Sequence, residues 1–370
     1  MENNGLSVGN IVKKQIINLP KYQAGLPEGA VRQRYRVEQI ARLASNENPF
    51  GTSPLALNAV GKITAQLWKY SDPDSAGLRA ALSRSTGTPA EKIVVGNGSE
   101  DLIALVCRAC LEKEDRVVTV HPSFLLHEIY PGEQGAEVAA VPMRKDFSFD
   151  VAGIIEELHK GCRMLIFSNP SNPVGTLVDG NELERLCRAA SPETILVIDE
   201  AYYEYVKDLD VFPDSRSIMA QFPNPHVVLR SFSKAYGLAG ARVGYGLFSH
   251  ASFADQINKL RNPFNVNLVA QAAAEAALGD REHIEKTVRF NEVERERVKA
   301  ELQNRGLRVA TSQANFLFVD SGRSSLEAAE RLLGNGIIVK PWTARGYETF
   351  LRITIGTTED NDRMVSLLAE

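Results

Sequence analysis

The sequence predicts an α/β protein in which a large domain with a mostly parallel central sheet is followed by a smaller α+β domain. Three observations lead there. The chain has 370 residues, more than one hydrophobic core usually organises, so two domains are expected. From about residue 92 to 246, short Val- and Ile-rich runs alternate with helical segments, the pattern of a sheet covered by helices. Beyond residue 280 the pattern changes to one long charged helix and three strand-like runs.

Along the chain, residues 1–45 are irregular and are expected to form an N-terminal arm and part of the small domain. Residues 46–279 form the large domain and 280–370 the small C-terminal one. The strand-like runs of the large domain are KIVVGN, RVVTVHP, RMLIFSNP, TILVIDE, VVLRSFS and RVGYGLFS. Their nearly continuous apolar character suits strands buried on both faces. Stretches such as GNELERLCRAAS between them read as helices. In the segment 280–307, Ile284, Val288, Val293 and Leu302 fall roughly on one face among dense charges. That spacing predicts a long amphipathic helix whose charges form a solvated face. The runs VATSQANFLFVD, GIIVKPW and FLRITIGT complete the small domain.

Composition narrows the function. With 42 basic and 46 acidic residues the net charge is −4, which argues against nucleic-acid or membrane-surface binding as a general role. The N-terminus lacks the apolar core of a signal peptide, and no apolar run is long enough to span a bilayer. A cytoplasmic location is expected. Four cysteines do not make a disulfide framework. Cys107 and Cys110 form a CxxC inside the helical pattern EDLIALVCRACLEKED. A redox pair is expected at a helix N-terminus, so these read as packed thiols. His121, His127 and His226 show no ligand spacing, and no metal site is predicted.

Ligands of open α/β sheets gather at the carboxyl ends of the strands, so the residues that follow each apolar run matter most. After KIVV comes Gly96-Asn97-Gly98-Ser99-Glu100, opening a helix. Its free N–H groups suit a phosphate, although Glu100 and Asp101 in the first turn would repel one, and taken alone the stretch reads first as a plain capped helix start. Phe124 follows RVVTV, either as a stacking surface or as core filling. RMLIF runs into Ser168-Asn169-Pro170-Ser171-Asn172-Pro173, a non-helical turn whose amides are free for a ligand or serve the turn alone. Asp199 ends TILVI, and a carboxylate there needs a cationic partner. After VVL come Ser231, Ser233 and Lys234 among small residues, with Arg242 eight positions later. A lysine so crowded loses hydration, its amine pKa falls, and it becomes a nucleophile toward carbonyls. Together these signals describe one ligand with a phosphate, a flat ring, a protonatable ring nitrogen and an aldehyde: pyridoxal 5′-phosphate.

The motifs LPKYQAG, LASNENPFG, YSDPDSAGLR, GNGSEDLI, SNPSNPVGT, IDEAYYEY, SFSKAYGLAGARVGYG and LRITIGT run in order over nearly the whole chain. In them the sequence resembles fold-type I pyridoxal-phosphate enzymes, most closely the histidinol-phosphate aminotransferase family. The resemblance implies that Lys234 links covalently to the cofactor aldehyde and later moves the proton of the amino acid α-carbon. It implies that Asp199 keeps the ring nitrogen protonated, that Asn172 and Tyr202 bond the ring 3′-oxygen, and that Phe124 stacks on the ring. Gly98, the amides of Ser99 and Glu100, Ser231, Ser233 and Arg242 are implied to hold the phosphate, the acidic side chains at 100 and 101 pointing away. Tyr70 is implied to reach the phosphate of a neighbouring subunit, hence a homodimer with shared active sites. Arg352 matches the arginine that grips a substrate carboxylate in a bidentate fork. Tyr22, Asn48 and Lys340 fall in segments that line the substrate end.

The implied reaction is amino transfer between histidinol phosphate and 2-oxoglutarate, giving imidazole-acetol phosphate and glutamate. Departures fall at the substrate end. Relatives often carry arginine where IIVKPW has Lys340, and YQAGLP keeps Tyr22 but lacks a proline and a lysine common there. Lys340 and Arg345 remain as charges for a phosphate. Two other readings stay open: an aminotransferase for aromatic amino acids, and a specialised enzyme performing elimination or cyclisation on a modified amino acid. A regulatory module that binds the cofactor without turnover calls for an added DNA-binding domain, for which the chain has neither spare length nor a basic segment.

Overall fold

Seven strands form the larger sheet: β2 (Ile93–Gly96), β3 (Arg116–His121), β4 (Glu137–Pro142), β5 (Met164–Ser168), β6 (Ile195–Asp199), β7 (His226–Ser231) and β8 (Gly244–Phe248). The computed structural model describes residues 11–21 and 25–368. In space the order is β2-β8-β7-β6-β5-β3-β4. Neighbours from β7 to β4 are parallel, and β8 alone runs antiparallel to its two neighbours. One edge of the sheet therefore collects the carboxyl ends of β2, β3, β5, β6 and β7 together with the start of β8. Arg242, two residues before β8, is brought to the same edge as Gly96, Asp199 and Ser231 by that reversal.

The alternation of side chains along a strand explains why the runs are apolar at every position. Leu165, Phe167, Leu196, Ile198 and Val228 enter the core on one face. Their chain neighbours Ile166, Val197, Val227 and Leu229 pack on the other. β4 has no counterpart among the runs read from the sequence. It is an edge strand, half-buried over most of its length, with the sequence EVAAVP, and alanine carries little strand signal.

The second sheet has five strands in the order β1-β11-β12-β10-β9. They are β1 (Ala41–Leu43), β9 (Arg308–Val309), β10 (Phe316–Asp320), β11 (Ile337–Pro341) and β12 (Phe350–Thr354). β1 comes from the N-terminal region and pairs in parallel with β11. Leu43, Leu317, Val339, Leu351 and Ile353 share a separate apolar core beneath it.

Helix Arg281–Asn304 joins the two cores. Val298 and Leu302 pack beneath the five-stranded sheet. Ile284 and Val288 pack near Tyr205 and Phe316. Val293 departs from the expected face and is 62% exposed. Five residues beyond Val288, it lies roughly 140° round the helix. The charged run is not wholly solvated either. Glu294 and Arg295 are buried; Glu294 accepts from Asn361 at 2.9 Å, and Arg295 donates to the carbonyl of Ala314 at 3.2 Å. Cys107 is buried near the end of helix Ser99–Cys110. Burial raises both thiols of the CxxC, Cys110 to about 11, as suits packed rather than reactive sulfur. Among the described residues no helix is long and apolar enough to cross a membrane, and no His, Cys, Asp and Glu cluster could hold a metal ion.

Candidate active site

A cleft of about 400 Å³ opens where the edge of the large sheet meets the small sheet, and Lys234 lines it. Lys234 follows β7, and its Nζ donates to the carbonyl of Ser45 at 3.0 Å. Burial lowers the amine from 10.5 to about 8, with Arg352 and Arg242 adding to the fall and Glu47 and Asp199 opposing it. An amine in this range has a substantial neutral fraction near neutrality, as a nucleophile requires.

At one end of the cleft the backbone is shaped for an anion. Gly98 adopts φ +89°, and a Cβ there would lie 2.7 Å from Arg242 Nη2. A Cβ on Gly244 would lie 2.4 Å from the amide nitrogen of Ser99. Glycine at both places lets helix Ser99–Cys110 present its first amides to the cleft beside Arg242. Ser231 and Ser233 line the same end, the Ser233 amide donating to Ser231 Oγ at 3.0 Å. Asp101 turns away, accepting from the amide of Asn97 and from Asn265, each at 2.8 Å. Glu100 does not: its side chain lies 3.4 Å from Arg242 and accepts from Tyr130 at 3.0 Å. An anion at this end would compete with Glu100 for Arg242.

Asp199, at the end of β6, is 4% exposed. One carboxylate oxygen accepts from the amide of Ala201 at 3.1 Å. The other lies 3.5 Å from Nε2 of His127, a fully buried ring. His127 is thus the imidazole neighbour of this carboxylate, beyond hydrogen-bond reach at that distance, and the sequence reading passed over it. It stands in helix Leu126–Gln134, one turn past the end of β3, and a single histidine in a helix carries no spacing signal. Phe124, between β3 and that helix, meets His127 edge-on at 5.6 Å and lines the cleft. The neighbouring acid Glu200 serves structure instead. It is buried against Arg230 at 2.8 Å, a pair whose disruption costs about 3–5 kcal/mol.

The opposite wall comes from the small sheet. Arg352 of β12 is buried, donates to Asn172 Oδ1 at 2.7 Å and also bonds the carbonyl of Ala44. Both contacts fix the guanidinium plane. Lys340 of β11 lies opposite Arg352 in the strand register and lines the cleft beside it. Burial, then Arg352, lowers the Lys340 amine. Tyr202 accepts a hydrogen bond from Asn46 Nδ2 at 2.8 Å. Asn46 has φ +57° and in turn accepts from Thr354 Oγ1 at 3.0 Å. Asn46 is a second contributor the sequence reading did not single out.

Asn48 corrects an expectation. It points away from the cleft, donating to the carbonyl of Ala235 at 2.8 Å and to Thr287 at 3.1 Å. Ser45 and Glu47 line the cleft in its place, and Glu47 is held by Arg42 at 2.9 Å. Arg345 is exposed and meets this region only through its carbonyl, 3.0 Å from His121. Tyr70 is 82% exposed and stacks on Phe264 at 4.5 Å, outside the cleft of its own chain. Tyr22 lies outside the described residues.

Comparison with known proteins places this geometry in a family. The model of the class I and II aminotransferases matches residues 38–368. Histidinol-phosphate aminotransferase 3 of Rhizobium meliloti (strain 1021) is 42% identical, over 97% of each chain. Histidinol-phosphate aminotransferase of Bacillus subtilis (strain 168) is 37% identical over 97% of this chain and 99% of its own. Among solved structures, histidinol-phosphate aminotransferase from Sinorhizobium meliloti in complex with pyridoxal 5′-phosphate superposes with a TM-score of 0.89. It is 28% identical, and the match covers 99% of this chain and 98% of that one. Thermus thermophilus aspartate aminotransferase with maleate shares the fold, with a TM-score of 0.82 at 21% identity over 97% and 98% of the two chains. The lysine-bearing cleft, the anion-shaped sheet edge and these likenesses agree, and the chain belongs to the class I and II aminotransferase family.

Proposed function

We propose that this aminotransferase binds pyridoxal 5′-phosphate and exchanges the amino group between histidinol phosphate and 2-oxoglutarate, yielding imidazole-acetol phosphate and glutamate. The observation that carries the substrate assignment is the pairing of Lys340 and Arg352 across β11 and β12 on one wall of the cleft. Histidinol phosphate presents a phosphate dianion, and glutamate and 2-oxoglutarate each present two carboxylates. Two adjacent cations suit these ligands better than a neutral aromatic side chain. The relatives named above as histidinol-phosphate aminotransferases, at 37–42% identity over nearly the full length, support the same choice.

When bound, the cofactor supplies an aldehyde that accepts the amino group and a conjugated ring that takes up the electron pair left at the substrate α-carbon. Lys234 would hold the aldehyde, and its Nζ is the group placed to take a proton from the substrate α-carbon. Asp199 provides the fixed negative charge for a protonated ring nitrogen, with His127 behind it. Asn172 and Tyr202 donate to the ring oxygen, and Phe124 covers one face. The amides of Ser99 and Glu100, the hydroxyls of Ser231 and Ser233, and Arg242 hold the phosphate, with Gly98 leaving the space.

The large domain, residues 46–279, holds the cofactor in this reading, and residues 280–370 with the N-terminal arm carry the substrate cations. Trp68 and Tyr70 are 81% and 82% exposed and Leu67 is 63% exposed. So apolar a run on the surface supports a homodimer in which Tyr70 reaches the partner's cleft. The setting is cytoplasmic. Steady-state turnover tests the substrate. With 2-oxoglutarate as acceptor, kcat/KM for L-histidinol phosphate is expected to exceed that for L-phenylalanine and L-tyrosine by at least about 100-fold. Equal values would move the assignment to aromatic amino acids.

A further inference from the structure

A second cavity, of about 440 Å³, lies at the other edge of the seven-stranded sheet. β7 begins there with His226, and β8 ends there with Phe248. The length of β7 separates it from the catalytic edge by about 17 Å. Four basic side chains from four separate segments line it. Lys92 precedes β2, Arg216 comes from helix Ser215–Met219, His226 opens β7 and His250 follows β8. No Asp or Glu is among the lining residues. The nearest carboxylate recorded against these groups is Asp214, 3.7 Å from Arg216 Nε.

The donors are held but not used up. Arg216 Nη1 donates to the carbonyl of Thr86 and to Thr88 Oγ1, both at 2.7 Å. Those bonds fix the guanidinium, and its Nη2 has no hydrogen-bond partner among the described residues. His226 is 93% buried, being 7% exposed, and its Nδ1 donates to the carbonyl of Asn224 at 3.1 Å. That bond leaves Nε2 unpartnered among the described residues, and Nε2 donates to an anion only once the ring takes up a second proton, which a dianion bound beside it promotes. The Lys92 side-chain amine makes no hydrogen bond or ion pair among the described residues. Burial, with Lys92 adding to it and the bond to the Asn224 carbonyl opposing it, lowers His226 below its usual value. Basic groups gathered in a concave site, with Asp214 against Arg216 as the one carboxylate recorded beside them, favour an anion held between them. Phe222 and Pro223 add an apolar side to the same cavity.

We propose that this cavity is a second ligand site, which takes a small molecule bearing a doubly charged oxyanion group, a phosphate monoester or a dicarboxylate. The group is held by Lys92, Arg216 and His226, with His250 at the rim and the organic body against Phe222 and Pro223. The volume falls within the range of small-molecule pockets.

Calorimetric titration of the holoenzyme with phenyl phosphate and with succinate tests the assignment, since the two probes separate the two sources of the anion. At least one probe is expected to show a binding event that is weakened about tenfold or more in both Lys92→Glu and His250→Ala. Neither residue lies in the catalytic cleft, so half-reaction rates of both variants are expected to match wild type. Binding confined to phenyl phosphate identifies a phosphate ester, and binding confined to succinate a dicarboxylate. Titrations of wild type and both variants that coincide for both probes would overturn the proposal. Equal binding of neutral benzyl alcohol at this site would overturn it as well.

Discussion

At the Arg242 end of the cleft, Asp199 and Ser231 end buried strands of the large sheet, and Gly98 and Lys234 follow such strands within a few residues. At the other end, Ala44, Ser45, Lys340 and Arg352 arrive from the N-terminal region and from the small sheet, which share a sheet through β1 and β11. The first end is set by strand order alone. The second depends on how distant segments are tied together, through Asn46 to Tyr202 and Thr354 and through Arg352 to Asn172 and Ala44. In the proposed reading a cofactor end built this way would tolerate changes in substrate, because the residues assigned to the phosphate are not those assigned to the substrate. Substrate preference is free to change through a few residues of the small sheet.

Variants separate the two ends, and the largest effect belongs to the residue where they meet. Lys234→Ala is expected to lower the half-reaction rate by at least about 10³-fold and to abolish the borohydride-reducible bond to the cofactor. A reducible bond at another lysine, found by peptide mapping, would relocate the site. Arg352→Lys keeps the charge but loses the fork. It is expected to raise KM for glutamate by about 10- to 100-fold while the visible spectrum of the bound cofactor stays unchanged. Lys340→Ala should lower kcat/KM for histidinol phosphate about tenfold, again without loss of cofactor; unchanged turnover would remove Lys340 from substrate recognition.

Smaller effects test the cofactor end. His127→Gln leaves Asp199 without its imidazole neighbour. It is expected to shift the pH midpoint of the visible band and lower kcat about three- to tenfold, with KM unaltered. A change in KM alone would make His127 a packing residue.

The smallest prediction concerns stability of the cofactor-free protein. Burial lowers Lys234 from 10.5 to about 8, so between those values the folded form binds fewer protons than the unfolded chain. Stability contributed by this group therefore rises with pH across that window. The rise should be missing in Lys234→Met, as urea midpoints at pH about 8 and about 10 would show.

The contrast between the two ends also governs what the sequence discloses. Strands buried on both faces leave long apolar runs, and the polar residue that ends each run stands out. Gly98, Asp199, Ser231 and Lys234 were legible for that reason. Asn48 and Glu47 are adjacent in one loop, and which of them faces the cleft is decided by the left-handed turn at Asn46, which Asn permits but does not announce. His127 was illegible because its partner Asp199 is 72 positions away and joined to it only through the order of β3, β5 and β6. β4 was missed because an edge strand with two alanines between its two valines has neither alternation nor a continuous branched run. Val293 was misplaced because four apolar residues in a long helix were assigned to one stripe, although the helix serves two cores in turn.

The most direct test of the whole account is a single-turnover half-reaction with L-histidinol phosphate and no oxo acid. The protein loaded with pyridoxal 5′-phosphate is mixed with the substrate, the visible band is followed and the products are identified. The account predicts bleaching of the band with formation of pyridoxamine phosphate and imidazole-acetol phosphate. A band that persists would contradict it, returning aromatic or modified amino acids, and elimination or cyclisation, as the chemistry of this cleft.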